Sequence, residues 1–103
     1  MTIASPNPMK DLFDAAARHK TLRFTCRCGH SAIFDGHALW WRFEKKGWND
    51  ALRLVPFHMR CGKCRALGRP KIPPRLELTD LDNDTDLPMP SEEDWKRALR
   101  RRR

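Results

Sequence analysis

The chain of 103 residues lacks any run of 18 consecutive apolar residues, so we expect no membrane-spanning helix. Residues 1–8 contain no apolar stretch of the kind that forms a secretory signal, which predicts a cytoplasmic protein in a reducing environment. The chain also lacks a phosphate-cradling glycine loop and a serine nucleophile elbow. These absences favour a binding protein over an enzyme, and we expect no small-molecule substrate.

The cysteines are few but closely paired. One pair is Cys26 and Cys28, the other is Cys61 and Cys64, and 32 residues separate the pairs. Cysteines this close bond poorly to each other but converge well on a tetrahedral ion, so the spacing predicts a metal site. Four thiolates suit one structural zinc ion and leave no ligand position open for catalysis. There are three alternatives to this assignment. His30 could replace one cysteine as a ligand, the metal could be iron instead of zinc, or the four cysteines could be ordinary buried thiols.

The metal is expected to hold the fold together. The polar or proline-broken ends leave a compact part near residues 20–75, and a segment this short usually needs a metal or a disulfide. We therefore expect metal removal to unfold residues 20–75, because metal binding and folding are one equilibrium in such domains.

Helices are predicted near both ends of the chain. Residues 7–18 have helical apolar spacing, with Asn7 as N-cap and Pro8 at the first helical position. Near the C-terminus, Ser91 resembles an N-cap with Asp94 three residues on, and the helix would end in a basic run that suits its dipole.

A third helix is predicted between the cysteine pairs. Asp35 caps its start, and Gly47 favours the left-handed conformation that ends a helix. In that ending motif, Trp48 should contact Phe43. One face of the helix is apolar: Leu39, Trp40 and Phe43.

Short strands are predicted around both cysteine pairs. A second short helix, capped by Asn49 or Asp50 and stopped by Pro56, is expected before the second pair. The expected strands are residues 22–25, 31–34, 57–60, 66–72 and an edge strand at Leu76 and Leu78.

Charge divides the chain into blocks. Residues 18–75 carry a net charge of +11, residues 76–94 carry −8, and the whole chain carries +8. We expect a helical segment at 1–19, a metal-binding domain at 20–78, an acidic linker at 79–90 and a basic helix at 91–103. Such a basic module attracts polyanions.

Together these features resemble the zinc-ribbon superfamily, and in particular small bacterial zinc-ribbon proteins with a helical insertion between two cysteine knuckles. The matching parts are Cys28, Gly29 and His30; residues 39–46; Gly47; Leu52 and Leu54; and Arg60, Cys61 and Cys64. The shortened first knuckle departs from the usual pattern. The resemblance implies a small α+β metal-stabilised domain with zinc-ribbon-like strands, an inserted helix and helices near both termini. It also implies a role in nucleic-acid or protein binding within transcription or translation.

Nucleic-acid binding is the leading hypothesis for this module. Six basic residues cluster in sequence around the knuckles: Arg27, Arg60, Lys63, Arg65, Arg69 and Lys71. On one face they would contact phosphates, of DNA or of RNA. Alternatively they offset the charge of −2 that a zinc tetrathiolate carries.

A protein-interaction adaptor is the second hypothesis. Trp41 and Trp95 are its candidate contact residues, because tryptophan is favoured at binding hot spots. The acidic segment at 77–94 either folds back on the basic module and weakens nucleic-acid binding, or serves as a plain linker.

Overall fold

Eight helices and strands follow one another in the computed structural model, which describes residues 9–101. In chain order they are α1 (Leu12–Ala17), β1 (Thr21–Thr25), β2 (Ser31–Asp35), α2 (Gly36–Lys46), a 3₁₀ helix (Val55–His58), α3 (Gly62–Ala66), β3 (Arg75–Thr79) and α4 (Glu92–Arg101). They form a small α+β domain. In the part of the chain that is described, no helix combines the length and the apolar composition needed to cross a bilayer.

The strands form one antiparallel sheet in the order β2-β1-β3. In the central strand, Leu22 and Phe24 are buried while the alternate residues Thr21, Arg23 and Thr25 are half-buried, so one face of the strand meets the core. Leu22 pairs with Phe34 on one side and with Leu78 on the other, which continues the apolar face across the sheet.

Helix α2 begins and ends where the sequence predicts. The Asp35 carboxylate accepts hydrogen bonds from the amides of His37 and Ala38 at 2.8 and 3.2 Å. At the other end Gly47 has φ of 69°, and the Trp48 amide donates to the Phe43 carbonyl at 3.0 Å. The rings of Phe43 and Trp48 lie 5.2 Å apart, which confirms the predicted contact. The three residues of the predicted apolar face are all buried.

Helix α4 packs on α1 and α2 through one tryptophan. The Trp95 ring centroid lies 5.0 Å from that of Phe13 and 5.1 Å from that of Trp40. At the start of the helix, the Ser91 hydroxyl accepts from the Asp94 amide at 3.0 Å, as the sequence predicts. The acidic segment and α4 therefore return the chain to its own core.

The first helix is shorter than expected. It begins at Leu12 and is capped by Asp11, whose carboxylate accepts from the Asp14 amide at 2.8 Å. Residues 9–11 are not helical, because the Lys10 carbonyl accepts from the Leu52 amide and the Leu12 amide donates to the Asp50 carbonyl. The predicted capping role of Asn7 and Pro8 lies outside the described residues.

Around the second cysteine pair the prediction of strands was wrong. Residues 57 and 58 belong to the 3₁₀ helix, residues 62–66 are α-helical, and residues 67–74 have no regular structure. Three prolines between residues 70 and 74 remove the amides that a strand would need. The short helix predicted after Asn49 was also wrong: a turn leads into the 3₁₀ helix, and Pro56 lies at its start.

The acidic segment has more structure than a plain linker. The Asp84 carboxylate accepts from the Ile33 amide at 2.8 Å, and the Ile33 carbonyl accepts from the amides of Asp84 and Thr85 at 3.0 and 3.1 Å. These bonds satisfy the Ile33 amide and carbonyl on the outer edge of β2, where the sheet formed by residues 9–101 has no further strand. Leu87 then packs against the core.

Candidate metal centre

The first cysteine pair lies in the turn between β1 and β2. The Cys26 amide donates to the His30 carbonyl at 2.8 Å, and the Gly29 amide donates to the Cys26 carbonyl at 2.9 Å. Gly29 has φ of 92°, a conformation that side chains rarely adopt. The glycine therefore lets the hairpin turn within five residues and brings Cys26 and Cys28 to the same end of the sheet.

The second pair lies at the start of α3. Cys61 is the N-cap of this helix, and its sulfur accepts from the Cys64 amide at 3.5 Å. The Arg65 amide donates to the Cys61 carbonyl at 3.0 Å, which forms the first helical turn. One turn of helix brings residues three apart to the same side, so both sulfurs face the first pair.

The four sulfurs form one cluster. The Sγ atoms of Cys26 and Cys64 are 3.5 Å apart, those of Cys28 and Cys61 are 3.7 Å apart, and all four lie within 4.8 Å of one another. A disulfide would need about 2.0 Å, and none forms. Sulfurs bound tetrahedrally at about 2.3 Å from a zinc ion lie about 3.8 Å from one another. The donor set and its spacing therefore fit a metal ion.

Ionisation of the thiols depends on their neighbours. The backbone amide of His30 lowers the pKa of Cys28 to about 7. The neighbouring Cys26 sulfur raises the pKa of Cys64 to about 11, while Arg69, which donates to the Cys64 sulfur at 3.8 Å, acts in the opposite direction. Four thiolates so close repel one another, and a bound cation removes that repulsion.

His30 contributes its backbone to the cluster. Among residues 9–101, the only metal-binding group of three or more His, Cys, Asp or Glu side chains is the four cysteines, so the imidazole of His30 is outside it. The His30 carbonyl orders Cys26, its amide acts on Cys28, and its ring is exposed beside Asp84. Cysteine spacing cannot reveal such a role, because any residue can supply a carbonyl and an amide.

Four of the six predicted basic residues meet at the sulfurs. A cavity of about 280 Å³ is lined by the four cysteines together with Arg27, Arg60, Arg69 and Lys71. We call Arg27, Arg60, Arg69 and Lys71 the basic rim. The Arg60 guanidinium also donates to the Arg69 carbonyl at 3.4 Å. Lys63 and Arg65 are exposed on α3 and do not line this cavity.

The two candidate tryptophans both contact other parts of the chain. Trp95 lies among Phe13, Trp40 and His37, the last with ring centroids 4.5 Å apart. Trp41 is half-buried, its ring lies 5.9 Å from that of Trp40, and the Lys45 ammonium lies 5.7 Å from the ring centroid. Trp95 therefore holds α4 against the core, and Trp41 remains partly exposed.

Sequence reasoning missed a second cavity. It has a volume of about 260 Å³ and lies next to the sulfur cluster, because Cys26, Arg60 and Cys61 line both cavities. The rest of its lining is mostly apolar: Phe24, Ala32, Phe34, Met59 and Pro74, with Gly62, His30 and Thr85. The lining comes from five separate stretches of chain, so no local sequence motif predicts this cavity.

No family model, curated protein or solved structure matches this chain.

Proposed function

We propose that this chain is a non-enzymatic zinc-ribbon-like module whose basic rim binds nucleic acid, alone or in a nucleoprotein assembly. The observation that carries the proposal is the position of the rim. Four cations line the same cavity as the four cysteines. Arg27 lies between the cysteines of the first pair, and Arg60 directly precedes the second pair. Metal binding would thus hold the cations in the arrangement that contacts phosphates.

Zinc is the metal that we propose. Four cysteine sulfurs spaced for tetrahedral coordination suit zinc and leave no position for a reactive water, which favours a structural role. Native mass spectrometry with metal analysis tests this. We expect one zinc ion per chain and four lost thiol protons; iron, or a mass lower by two protons per disulfide, would refute the assignment.

The basic rim has few partners within the chain. Among residues 9–101, no acidic side chain forms an ion pair with Arg27, Arg60, Arg69 or Lys71. Of these cations only Arg69 donates a hydrogen bond to a sulfur. Neutralising the charge of a metal–thiolate cluster therefore accounts directly for Arg69 alone. Arg27 and Lys71 are available to contact phosphates, and Arg60, which donates to the Arg69 carbonyl, keeps further donors for the same purpose.

The acidic segment is engaged elsewhere. Asp80 pairs with Lys20 at 2.8 Å, Asp84 is bonded to β2, and Glu92 pairs with Lys96 at 3.0 Å. We therefore propose that this segment fastens α4 to the domain. An autoinhibitory role would require acidic side chains over the basic rim.

Fluorescence anisotropy with labelled single-stranded DNA and RNA at several salt concentrations tests nucleic-acid binding. Four phosphate contacts predict that log affinity falls against log salt with a slope of about −3. The triple variant Arg27→Gln, Arg60→Gln, Lys71→Gln leaves Arg69 on its sulfur and should reduce both affinity and slope.

The matched control changes three exposed arginines outside the rim: Arg18→Gln, Arg42→Gln and Arg53→Gln. Both triple variants have the same net charge, so a difference between them reports position. Equal losses in the two variants would refute the rim. No binding of any oligonucleotide at low salt would reject nucleic acid as the partner and favour the adaptor, with Trp41 as its first contact to test.

A further inference from the structure

The apolar cavity beside the basic rim is lined by two unlike kinds of side chain. Its lining includes Phe24 and Phe34, whose ring centroids lie 5.7 Å apart at an angle of 71°. It also includes Arg60, which lines the rim cavity as well. A ligand that reaches from one cavity into the other would therefore meet an aromatic, apolar surface and a cluster of cations within one short span.

The cavity suits a small flat ligand. Its volume of about 260 Å³ is slightly below the range of about 300–1,000 Å³ that is usual for pockets of drug-sized ligands. Aromatic and aliphatic side chains line it, together with the polar side chains of His30, Arg60 and Thr85. One heteroaromatic ring fits this mixture, because its faces are apolar and its edges form hydrogen bonds.

Nucleic acid presents such rings beside phosphates only when strands are unpaired. In a duplex the bases are stacked and paired, and extrusion of one base costs a few kcal/mol. A single strand offers its bases without that cost, and proteins that bind single strands combine a basic groove with aromatic side chains.

We propose that the apolar cavity binds one unpaired nucleobase of a single strand whose phosphates contact the basic rim. This inference rests on the proposed function and narrows its ligand from nucleic acid to single-stranded nucleic acid. Phe34, half-buried on β2, provides the stacking surface, and Arg60 contacts the phosphate next to the inserted base.

The decisive test compares three labelled probes on the unaltered zinc-loaded chain. They are a 12-nucleotide single strand, its duplex, and an abasic strand that has the same phosphates but no bases. The single strand is tested both as DNA and as RNA. Loss of one stacked base predicts at least about fivefold weaker binding of the abasic strand. The duplex should bind more weakly than the single strand in the same buffer.

Each outcome separates the two proposals. Equal affinity for the normal and abasic strands, or tighter binding of the duplex, overturns the base cavity and leaves phosphate binding by the rim intact. If none of the three probes binds at low salt, the proposed function fails and the cavity proposal fails with it. A preference between the DNA and RNA strands identifies the natural class of ligand.

A cavity-filling variant locates the effect. Ala32→Leu adds side-chain volume to the lining, and Ala66→Leu adds the same volume at an exposed position on α3. We expect Ala32→Leu alone to weaken binding of the normal strand about fivefold and to leave the abasic strand unchanged. An equal effect of both variants on the normal strand overturns the proposed location. Should Ala32→Leu fail to fold, the probe comparison on the unaltered chain decides.

Discussion

Two regions of this molecule are stabilised by different physics. The aromatic region, made of α1, α2, α4 and β1, contains fully buried side chains such as Trp40, Phe43 and Leu22. In the cysteine region, which comprises residues 59–74, no side chain from residue 59 to residue 73 is buried. Apolar burial holds the first region, whereas the sulfur cluster joins the start of α3 to the β1–β2 turn.

This difference changes what metal removal should do. A domain without a core would unfold entirely when it loses its metal, as the sequence leads one to expect for residues 20–75. The core instead joins α1, α2, α4 and the sheet, and none of the four cysteines belongs to this cluster, although Cys26 is buried beside the sheet at 8% exposure. We therefore expect loss of metal to release the cysteine region and to leave the aromatic region folded.

The largest effect on global stability is expected from Trp40→Ala. Trp40 is 2% exposed and contacts Phe13, Trp41 and Trp95, so the truncation leaves a cavity where three helices meet. The free energy of unfolding should fall by about 3–5 kcal/mol, measured by urea denaturation. The matched control Phe57→Ala removes a ring that is 58% exposed and should cost less than about 1 kcal/mol. Equal losses would contradict the central role of Trp40 in the aromatic region.

Metal removal should produce a local effect. After chelation, or in Cys64→Ser, hydrogen exchange should accelerate in residues 59–74 and the tryptophan fluorescence of the core should remain. Stability against urea should fall less than in Trp40→Ala. Cooperative loss of the whole hydrogen-exchange protection pattern would show that the aromatic region depends on the metal after all.

Glycine substitution contrasts the packing of the two regions. At Gly36 a Cβ atom would lie 2.6 Å from the Lys20 carbonyl oxygen and 3.2 Å from Ala16 Cα, whereas at Gly62 it would meet nothing within 4 Å. Because the neighbours of Gly36 are backbone atoms, Gly36→Ala should cost about 1–3 kcal/mol in urea denaturation. Gly62→Ala should be nearly neutral. A neutral Gly36→Ala would mean that α1 and α2 are less closely packed than described.

Loss of the α2 cap should have a smaller effect. Asp35→Ala removes the acceptor for the amides of His37 and Ala38, which predicts a loss of about 1 kcal/mol in thermal or urea unfolding. Asp35→Asn keeps an acceptor and should recover most of that loss. Failure of Asn to recover stability would indicate that the carboxylate charge matters more than the hydrogen bonds.

The smallest effect concerns acid. Hydrogen bonding and charge from Arg23 lower the pKa of Glu77 from 4.5. A carboxylate with a lowered folded-state pKa stabilises the fold above its unfolded pKa, and this contribution is lost as the pH falls from about 4.5 through the folded value. In Glu77→Gln, the difference in the free energy of unfolding between pH 6 and pH 3 should therefore be slightly smaller than in the unaltered chain. An unchanged difference would show that the pair contributes nothing, as many exposed ion pairs do.

The local elements were largely readable from sequence. The caps of α2 and α4, the contact of Trp48 with Phe43, and the strands on either side of the first cysteine pair were all predicted correctly. Each depends on residues within a few positions of one another, where propensity and hydrogen bonding decide. The boundaries near Asp11 and around the second knuckle were wrong, because contacts with residues 50–52 and the prolines after residue 70 override the local pattern.

By itself, the sequence determined the four sulfur donors and the short turns that present them, since glycine and helix-capping geometry act locally. Only the tertiary structure decided which cations lie beside those sulfurs, that Trp95 packs against the core, and that an apolar cavity adjoins the basic rim. These features join segments far apart in the chain. Their positions follow from how the aromatic core and the sulfur cluster pack, and side-chain spacing along the sequence does not encode that packing in any local pattern.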